Sequence, residues 1–380
     1  MKILICGMGY VGSSVAQAAH DAGHIVTGFD SDSNKVKDLS GKFPFEICDS
    51  IPLKLDPDIA IISVPTPLNI ERKPDLSHLE NVCEQLRRNL TRPTLIINES
   101  TSFPGTLRDF IAPRIGEVHR YATAPERVDP DNSQWGPRNT PRVLGALDDE
   151  ALEQAQTFYE SFCHTVITVS SPEVAEISKL FENSFRQVNI ALVQEFSRVC
   201  NSMDISTWEA LDAASTKPFG FMRFTPSVGV GGHCIPVDPL YLQRVAEEKG
   251  VDTPLILNAD QTNESQAEFC VQVLESKVGS LEGIHIQVAG ISYKPNVSDL
   301  RESKTLNFIQ LMRAKGARVE WHDPLVGTWN DEYSTELGKA DIGIIAAPHK
   351  VIDFAPWINA KVNVFDVSPG PVIPGARKLL

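Results

Sequence analysis

The sequence predicts the α/β class, with two doubly wound parallel-sheet domains joined by a long central helix. Three observations predict it. An apolar strand at the amino terminus runs straight into a glycine-rich turn, GMGYVG, and a helix. The run from Ser171 to Met203 keeps helical periodicity without an internal proline or glycine. A second series of short apolar strands begins near residue 284.

At 380 residues the chain is long enough for two or three domains, and 42% hydrophobic content suits packed cores. The expected boundaries are 1–170, a central helical connector at 171–281 and 282–380. A net charge of −14, with no basic stripe, opposes binding to a nucleic-acid backbone. The seven cysteines (6, 48, 83, 163, 200, 234, 270) form neither a CxxC pair nor a Cys/His cluster, so free thiols, a reducing compartment and no metal are expected. No run reaches the length of a membrane span, and a cytoplasmic chain without membrane partners is expected.

The first elements form a βαβ unit. Residues 2–6 are the first strand, SSVAQAAHDAG a helix ending at Gly23, and HIVTGFD the second strand. Gly7, Gly9 and Gly12 have GxGxxG spacing, and Asp30 closes the second strand. Strand, turn, helix and acid together make the Rossmann-like dinucleotide fingerprint. Asp30 would accept ribose hydroxyls and repel a 2′-phosphate, which favours NAD over NADP. A plain helix-cap role for Asp30 would leave the glycines unexplained. Tyr10 and Val11 within the turn, and Lys35 beyond Asp30, complete this set of expected cofactor residues.

Further strands are expected at 59–65, 94–100 and 120–126, separated by helical segments such as SHLENVCEQLRRNL. Ligands of such sheets lie at the carboxyl ends of the strands, where Pro65, Thr66, Pro67, Glu99, Ser100, Thr101 and Glu126 fall. In the helix over 171–203 the apolar positions include 174, 177, 180, 181, 185, 188 and 192. A helix of this length suits a domain connector and subunit interface, so a homodimer or higher homo-oligomer is expected. Lys179 and Asn183, spaced i and i+4, share one face, either as a surface pair or as a buried catalytic pair.

The segment Phe224–Pro239, FTPSVGVGGHCIPVDP, sets Cys234 in a glycine-rich loop four residues before Asp238. Gly229, Gly231 and Gly232 permit positive φ and let backbone N–H groups approach an anion, while Pro236 and Pro239 stiffen the exit from the loop. The loop fits both a reactive thiolate and a small packed cysteine. His233 is a poor partner for Cys234, because adjacent side chains of an extended segment point apart.

A helical stretch from Leu240 to about Leu281 leads to the second sheet. Its strands are IHIQVAGISY (284–293), ARVEWHD (317–323), DIGIIAAP (341–348) and VNVFDV (362–367), with a helix over 303–315. Gly290 follows the first of these strands without the full fingerprint, so no second dinucleotide is expected. Lys294 and Arg301, in the turn after it, suit either a phosphate or ordinary solvated surface.

Taken together, GMGYVG, SVPTPL, ESTSFPGT, APERVDPDN, EISKLFENSFRQVNIALVQE, AASTKPFGF, GVGGHCIPVDP and GISYKPNVSDLRES occur in an order that resembles the nucleotide-sugar 6-dehydrogenases of the UDP-glucose/GDP-mannose dehydrogenase family. The runs TKPFGF, GGHCIPVDP and APERVDP look most like the branch acting on UDP-N-acetylhexosamines. The resemblance implies a four-electron oxidation of a C6 alcohol to a uronate with two NAD+, through a thiohemiacetal and a thioester on Cys234. It implies that Lys179 and Asn183 stabilise the oxyanion, that Asp238 orients water or takes the proton, and that Glu126 and Thr101 serve thioester hydrolysis. Pro65, Thr66, Thr101 and Arg301 would contact NAD. Glu126, Arg127, Lys179, Asn183, Phe224, Gly231 and Lys294 would contact the UDP-sugar.

Three departures stand out. Only residues 31–62 separate Asp30 from Ser63, where relatives carry a longer helical insertion. The family's PGPG before the cysteine loop reads Pro226, Ser227, Val228, Gly229, with Arg223 and Thr225 nearby in place of Pro and Tyr. The tail after Asp366 reads VSPG where relatives commonly place an arginine. Two other classes remain: a two-electron β-hydroxyacid dehydrogenase, which would need neither Cys234 nor a second α/β domain, and a non-catalytic nucleotide-sugar binder, which would tolerate loss of site residues that are all present.

Overall fold

The computed structural model describes residues 1–52, 55–69, 71–128, 132 and 134–380. It divides into two units: Met1–Glu182 with Leu240–Val251, and Asn183–Pro239 with Asp252–Leu380.

The first unit is built on an eight-stranded sheet. In chain order its elements are β1 (Lys2–Cys6), α1 (Tyr10–Asp21), β2 (Ile25–Phe29), α2 (Ser33–Leu39), β3 (Glu46–Cys48), β4 (Ile59–Ile62), α3 (Ser77–Asn89) and β5 (Leu95–Asn98). A π-helical turn, Thr106–Ile111, then runs into α4 (Ala112–Ile115), followed by β6 (Arg120–Thr123), β7 (Arg142–Ala146), α5 (Asp149–Glu160) and β8 (Val166–Thr168). The strand order is β3-β2-β1-β4-β5-β6-β7-β8, whose first six strands follow the doubly wound dinucleotide-binding pattern.

The strands read as unbroken apolar runs because both faces are covered. Ile3, Ile5, Ile59, Ile61, Leu95 and Ile97 enter one core cluster. Their neighbours Leu4, Cys6, Ala60, Ile62 and Ile96 enter another on the opposite face. One pair departs from the expected all-parallel sheet: β6 and β7 are antiparallel. The described residues between them, 124–128, 132 and 134–141, hold no crossover helix of the kind a parallel return would need.

The expected central helix is α6 (Pro172–Ser202), 31 residues long, and it passes from the first unit into the second. Its outer face is unusually apolar and its inner face unusually polar. Val174, Ile177, Phe181, Phe185, Leu192, Phe196 and Val199 are exposed, while the buried face mixes Leu180, Val193 and Cys200 with Ala175, Glu176, Asn183, Ser184, Gln187, Ala191, Gln194 and Ser197. The stretch expected from Leu240 to Leu281 is three helices: after α7 (Thr207–Ser215) come α8 (Asp238–Glu248), α9 (Pro254–Glu264) and α10 (Gln266–Val278). Gly250, at φ +70°, separates the first two.

The second unit holds β9 (His285–Ala289), α11 (Lys304–Ala314), β10 (Arg318–His322), a short hairpin of β11 (Thr328–Trp329) and β12 (Glu332–Tyr333), β13 (Ile342–Ile345), α12 (Ala355–Asn359), β14 (Asn363–Asp366) and β15 (Arg377–Lys378). Its five-stranded parallel sheet has the order β10-β9-β13-β14-β15. Both sheets are therefore Rossmann-like. No helix of the described residues is long and apolar enough to cross a membrane, and those residues contain no cluster able to hold a metal ion.

Glu176 anchors α6 in the first unit. Its carboxyl accepts the N–H groups of Gly105 (2.8 Å) and Leu107 (3.0 Å), which start the π-helical turn. Burial nevertheless pushes the acid up to about 7 from an ordinary 4.5. Glu176→Ala leaves two buried amides unsatisfied and is expected to cost roughly 2–5 kcal/mol in urea denaturation. Because the folded value is raised, the acid's contribution is complete below about pH 4.5 and is lost as pH rises through about 7. Glu176→Gln should accordingly gain on the wild type across that window, and a pH-independent difference would contradict this account.

Candidate active site

The chemistry-bearing residues fall into two groups, one in each unit. In the first, β1 ends at Gly7, whose φ of +99° and lack of room enforce glycine: a Cβ there would lie 2.5 Å from the Ser63 carbonyl oxygen. A Cβ on Gly12 would lie 1.9 Å from the Gly7 oxygen. Gly9 caps α1 without a side-chain hydrogen bond, so the helix starts with its amides uncovered by a capping group. Tyr10 is exposed at that start, and Val11 follows it.

Asp30 sits at the end of β2 and ties the turn together. Its carboxylate accepts the Met8 N–H (2.9 Å), the Asp32 N–H (3.1 Å) and the Lys35 ammonium (2.7 Å). Burial alone would raise its pKa, but Lys35 and the two amides outweigh it and hold the group below the ordinary carboxylate range. The close glycines, the uncapped helix start and the strand-end acid fit NAD. They would supply backbone approach for a pyrophosphate and an acceptor for ribose hydroxyls.

Beyond β4 and β5, the expected strand-end residues come together. Thr66 Oγ1 donates to the Thr101 carbonyl (2.8 Å), Ser100 Oγ to Val64 (2.8 Å), and Tyr241 of α8 to the Thr66 carbonyl (3.1 Å). Pro65 and Pro67 flank Thr66. Glu126, just past β6, is buried and accepts the N–H groups of Arg127 (2.7 Å) and Val128 (2.8 Å). Burial works to raise its pKa, but the Arg142 guanidinium at 2.8 Å and these amides bring it below the usual range. Arg127, expected at the substrate, is committed to Glu182 (2.8 Å) and the Pro141 carbonyl (2.8 Å). Part of the APERVDPDN run, residues 129–131, lies outside the described residues.

In the second unit the cysteine loop leads into α8. The Cys234 carbonyl accepts the N–H groups of Val237 (3.1 Å) and Asp238 (2.8 Å), a turn that makes Asp238 the first residue of α8. Of the seven cysteines Cys234 alone is exposed. Asp238 is buried, and Asn183 Nδ2 donates to its Oδ2 (2.5 Å). Lys179, one helical turn before Asn183 in α6, belongs to the first unit and is half-buried.

Gly229 (φ +141°) and Gly232 (φ +88°) take the positive φ expected of the loop, but Gly231 does not. Gly231 is required by space instead: its Cβ would lie 2.8 Å from both the Glu302 carbonyl oxygen and Tyr293 Cβ. The Gly232 N–H donates to the Arg301 carbonyl (3.0 Å), so the cysteine loop packs on the segment carrying Lys294 and Arg301. The Arg301 guanidinium is forked on Asp299 (2.6–3.0 Å), and the Lys294 ammonium lies 5.9 Å from the Tyr293 ring centroid. Burial, reinforced by Arg301, pushes His233 down to about 4, so it is neutral at physiological pH and supplies no cation to the thiol. Phe224 packs edge-on against Phe185. Arg223 is held by Asp212 (2.7 Å), and Thr225 donates to the Pro369 carbonyl in the unusual tail (2.7 Å).

Sequence reasoning missed Arg142, Tyr159 and Asp299. The first two are residues of β7 and α5 with no local motif around them. Asp299 was within reach, as the acid two residues before Arg301.

Three family descriptions match this chain in order: the NAD binding domain (residues 53–163), the central domain (173–265) and the UDP binding domain (287–377) of the UDP-glucose/GDP-mannose dehydrogenase family. The chain is 31% identical to a UDP-N-acetyl-D-mannosamine dehydrogenase of Pyrococcus horikoshii over 94% of this chain and 91% of the relative. It is 28% identical to a UDP-N-acetyl-D-glucosamine 6-dehydrogenase of Pseudomonas aeruginosa, over 90% and 87%. The solved structure of a UDP-D-ManNAc dehydrogenase from P. horikoshii superposes with a TM-score of 0.85 at 28% identity, covering 100% of this chain and 99% of that one. The chain belongs to the UDP-glucose/GDP-mannose dehydrogenase family. It is an NAD-dependent nucleotide-sugar dehydrogenase, and the expected family, fold class and cofactor are borne out.

Asp30→Ser would remove the expected ribose acceptor and release the Lys35 ammonium now paired with it at 2.7 Å. The expected outcome is a loss of roughly 10- to 100-fold in kcat/KM for NAD+ and a gain with NADP+, measured with both cofactors. Equal use of the two by the unaltered enzyme would contradict the role of Asp30.

Proposed function

We propose that this enzyme oxidises the C6 alcohol of a UDP-N-acetylhexosamine, UDP-N-acetylmannosamine or UDP-N-acetylglucosamine, to the uronate. The observation that carries this reading is the exposed Cys234 beside a buried Asn183–Asp238 pair, on a chain whose relatives are named for these two sugars. NAD+, when bound by the Gly7–Gly12 turn and Asp30, supplies the hydride acceptor in each of two oxidations.

Asn183 and Lys179 stabilise negative charge on the C6 oxygen as its proton leaves. Asn183 Nδ2 is aimed by its bond to Asp238, and an amide nitrogen carries two N–H groups, so one can serve the oxyanion. The Cys234 thiolate adds to the C6 aldehyde to give a thiohemiacetal, and loss of a second hydride gives a thioester. A thiolate is suited to both steps as a stronger nucleophile and better leaving group than an alkoxide near neutral pH. Water then releases the carboxylate and frees the thiol. Glu126, kept ionised by Arg142 and two amides, is the base for that water, with Thr101 beside it in function and Asp238 orienting the water or taking the first proton. Lys294 and Arg301 supply the cations for phosphates, with Arg301 assigned to the cofactor. Arg127, Phe224 and Gly231 complete the expected substrate set, Arg127 by holding the loop after Glu126 to Glu182.

The decisive experiment follows NADH against UDP-N-acetylglucosamine, UDP-N-acetylmannosamine, UDP-N-acetylgalactosamine and UDP-glucose, and counts NADH per sugar consumed. Two NADH per N-acetylhexosamine and no free aldehyde are expected. A ratio of one with aldehyde release would sink the thioester route, and preference for UDP-glucose would move the substrate. Cys234→Ser should form no uronate at a measurable rate, and undiminished formation would refute the nucleophile.

We also infer a homo-oligomer in which a second copy covers the exposed stripe of α6. The stripe is apolar at 174, 177, 181, 185, 192, 196 and 199 along one helix, more than an isolated surface helix carries without a partner. Phe181→Glu is expected to shift sedimentation toward monomer, whereas an unchanged mass would count against this interface.

A further inference from the structure

Behind Glu126 lies a second buried carboxyl that the thioester mechanism does not use. Glu99, at the end of β5, shares Arg142 with Glu126: the guanidinium is 2.8 Å from Glu126 Oε2 and 3.5 Å from Glu99 Oε1. Tyr159 of α5 donates to Glu99 Oε1 (2.5 Å), and the Arg142 guanidinium carbon lies 4.9 Å from the Tyr159 ring centroid. Arg142 Nη1 also donates to the Ala124 carbonyl (3.4 Å), and Cys163 borders the cluster, its thiol bonded to the Pro137 carbonyl (3.3 Å). All four side chains of the cluster are buried.

One buried cation thus faces two buried acids. With both ionised the cluster carries an uncompensated negative charge in a low-dielectric interior, and with one proton it is neutral. Geometry selects the holder of that proton. Glu126 has the closer guanidinium, at 2.8 Å against 3.5 Å, and two backbone amide donors, whereas Glu99 has the single side-chain donor Tyr159. In agreement, burial pushes Glu99 up to about 7 against the pull of Arg142, while Glu126 is held low. Tyr159 and Cys163 have both been pushed up by burial, so neither ionises in the neutral range.

We propose that Glu99 is a positioning residue for Glu126: through the shared Arg142, its protonation state decides how much of the guanidinium charge Glu126 receives, and so how strong a base Glu126 is. The proposal rests on the reading of Glu126 as the base of thioester hydrolysis. While Glu99 holds its proton, Arg142 is committed to Glu126, which is then ionised but weakly basic. When Glu99 ionises, the second negative charge raises the proton affinity of Glu126 without displacing it, and hydrolysis accelerates. The proton lost by Glu99 goes to solvent, and no electron moves.

The test has two arms on the full enzyme. Infrared difference spectra of wild type minus Glu99→Gln, from pH 6 to 8, read the protonated carboxyl of Glu99 directly and separate it from Glu176, which titrates in the same range. Single-turnover release of uronate, with whichever of the four UDP-sugars turns over, reads the thioester step. The expected result is a carboxyl band lost with a midpoint near 7 and a rise in hydrolysis of roughly tenfold over the same range. Both steps should vanish in Glu99→Gln. In Tyr159→Phe, which removes a donor favouring the ionised form, both midpoints should move upward together. Absence of the band change, or a rise in hydrolysis that persists in Glu99→Gln, overturns the proposal. A wild-type rate of release by Glu126→Gln would overturn the assignment of Glu126 itself, and the kinetic coupling with it, a failure the infrared arm does not share.

Discussion

Coverage of both faces of each parallel sheet is the constraint on which the rest of the molecule depends. With Ile3 and Ile5 facing one core and Leu4 and Cys6 the other, no strand interior can hold a polar group cheaply. Polar chemistry is left to the strand ends, and there it is found: Asp30 after β2, Thr66 after β4, Glu99 to Thr101 after β5 and Glu126 after β6. The second sheet also sets an acid at a strand end, Asp323 after β10, and its buried mid-strand Gln287 in β9 is held by the Gly338 and Trp357 N–H groups and the Glu336 carbonyl.

The two sheets share a device at those ends. In each, a positive-φ glycine follows the first strand, and its N–H donates to the last residue of the neighbouring strand: Gly7 to Phe29 and Gly290 to His322, both at 2.8 Å. In each, the next amide donates to an acid: Met8 to Asp30 (2.9 Å) and Ile291 to Asp323 (2.8 Å). The difference lies in the acid's other partner. Asp30 pairs with the half-exposed Lys35, whereas Asp323 is capped by the buried His349 (2.9 Å), whose Nδ1 in turn accepts the Asn296 N–H (2.7 Å). The same turn can thus offer an acceptor to a ligand or be closed into structure, depending on what faces the acid.

Buried acids in this protein are distinguished by their donors more than by their depth. Glu126 and Asp30 collect amides and a cation and stay ionised. Glu176 has two amides but no cation within a bond, and Glu99 has the Tyr159 hydroxyl and a longer share of Arg142 but no amide, so burial prevails in both. Such contrasts come from strand register and helix packing. Arg142 meets Glu126 because β7 lies antiparallel to β6, an arrangement without a sequence signature.

Much of the fold was legible because its signals are local. The apolar runs, the GxGxxG turn with Asp30 closing the next strand, and the run of α6 after Pro172 without a further proline or glycine each express a constraint legible in a short stretch of chain. The i, i+4 spacing of Lys179 and Asn183 was legible for the same reason. What α6 buries was not: periodicity locates an apolar face but does not say which way it points, and here the greasy stripe is the outer one. Gly231 was likewise recognisable as a needed glycine but for the wrong reason, since its constraint is the Glu302 backbone, remote in the chain. The sequence by itself determined the family, the cofactor and the cysteine loop, because these depend on residue type and short spacing. Only the tertiary structure decided the pairing of Asn183 with Asp238, the Asp299 fork on Arg301 and the sharing of Arg142 between two acids, because charge and burial depend on how side chains are brought together in space.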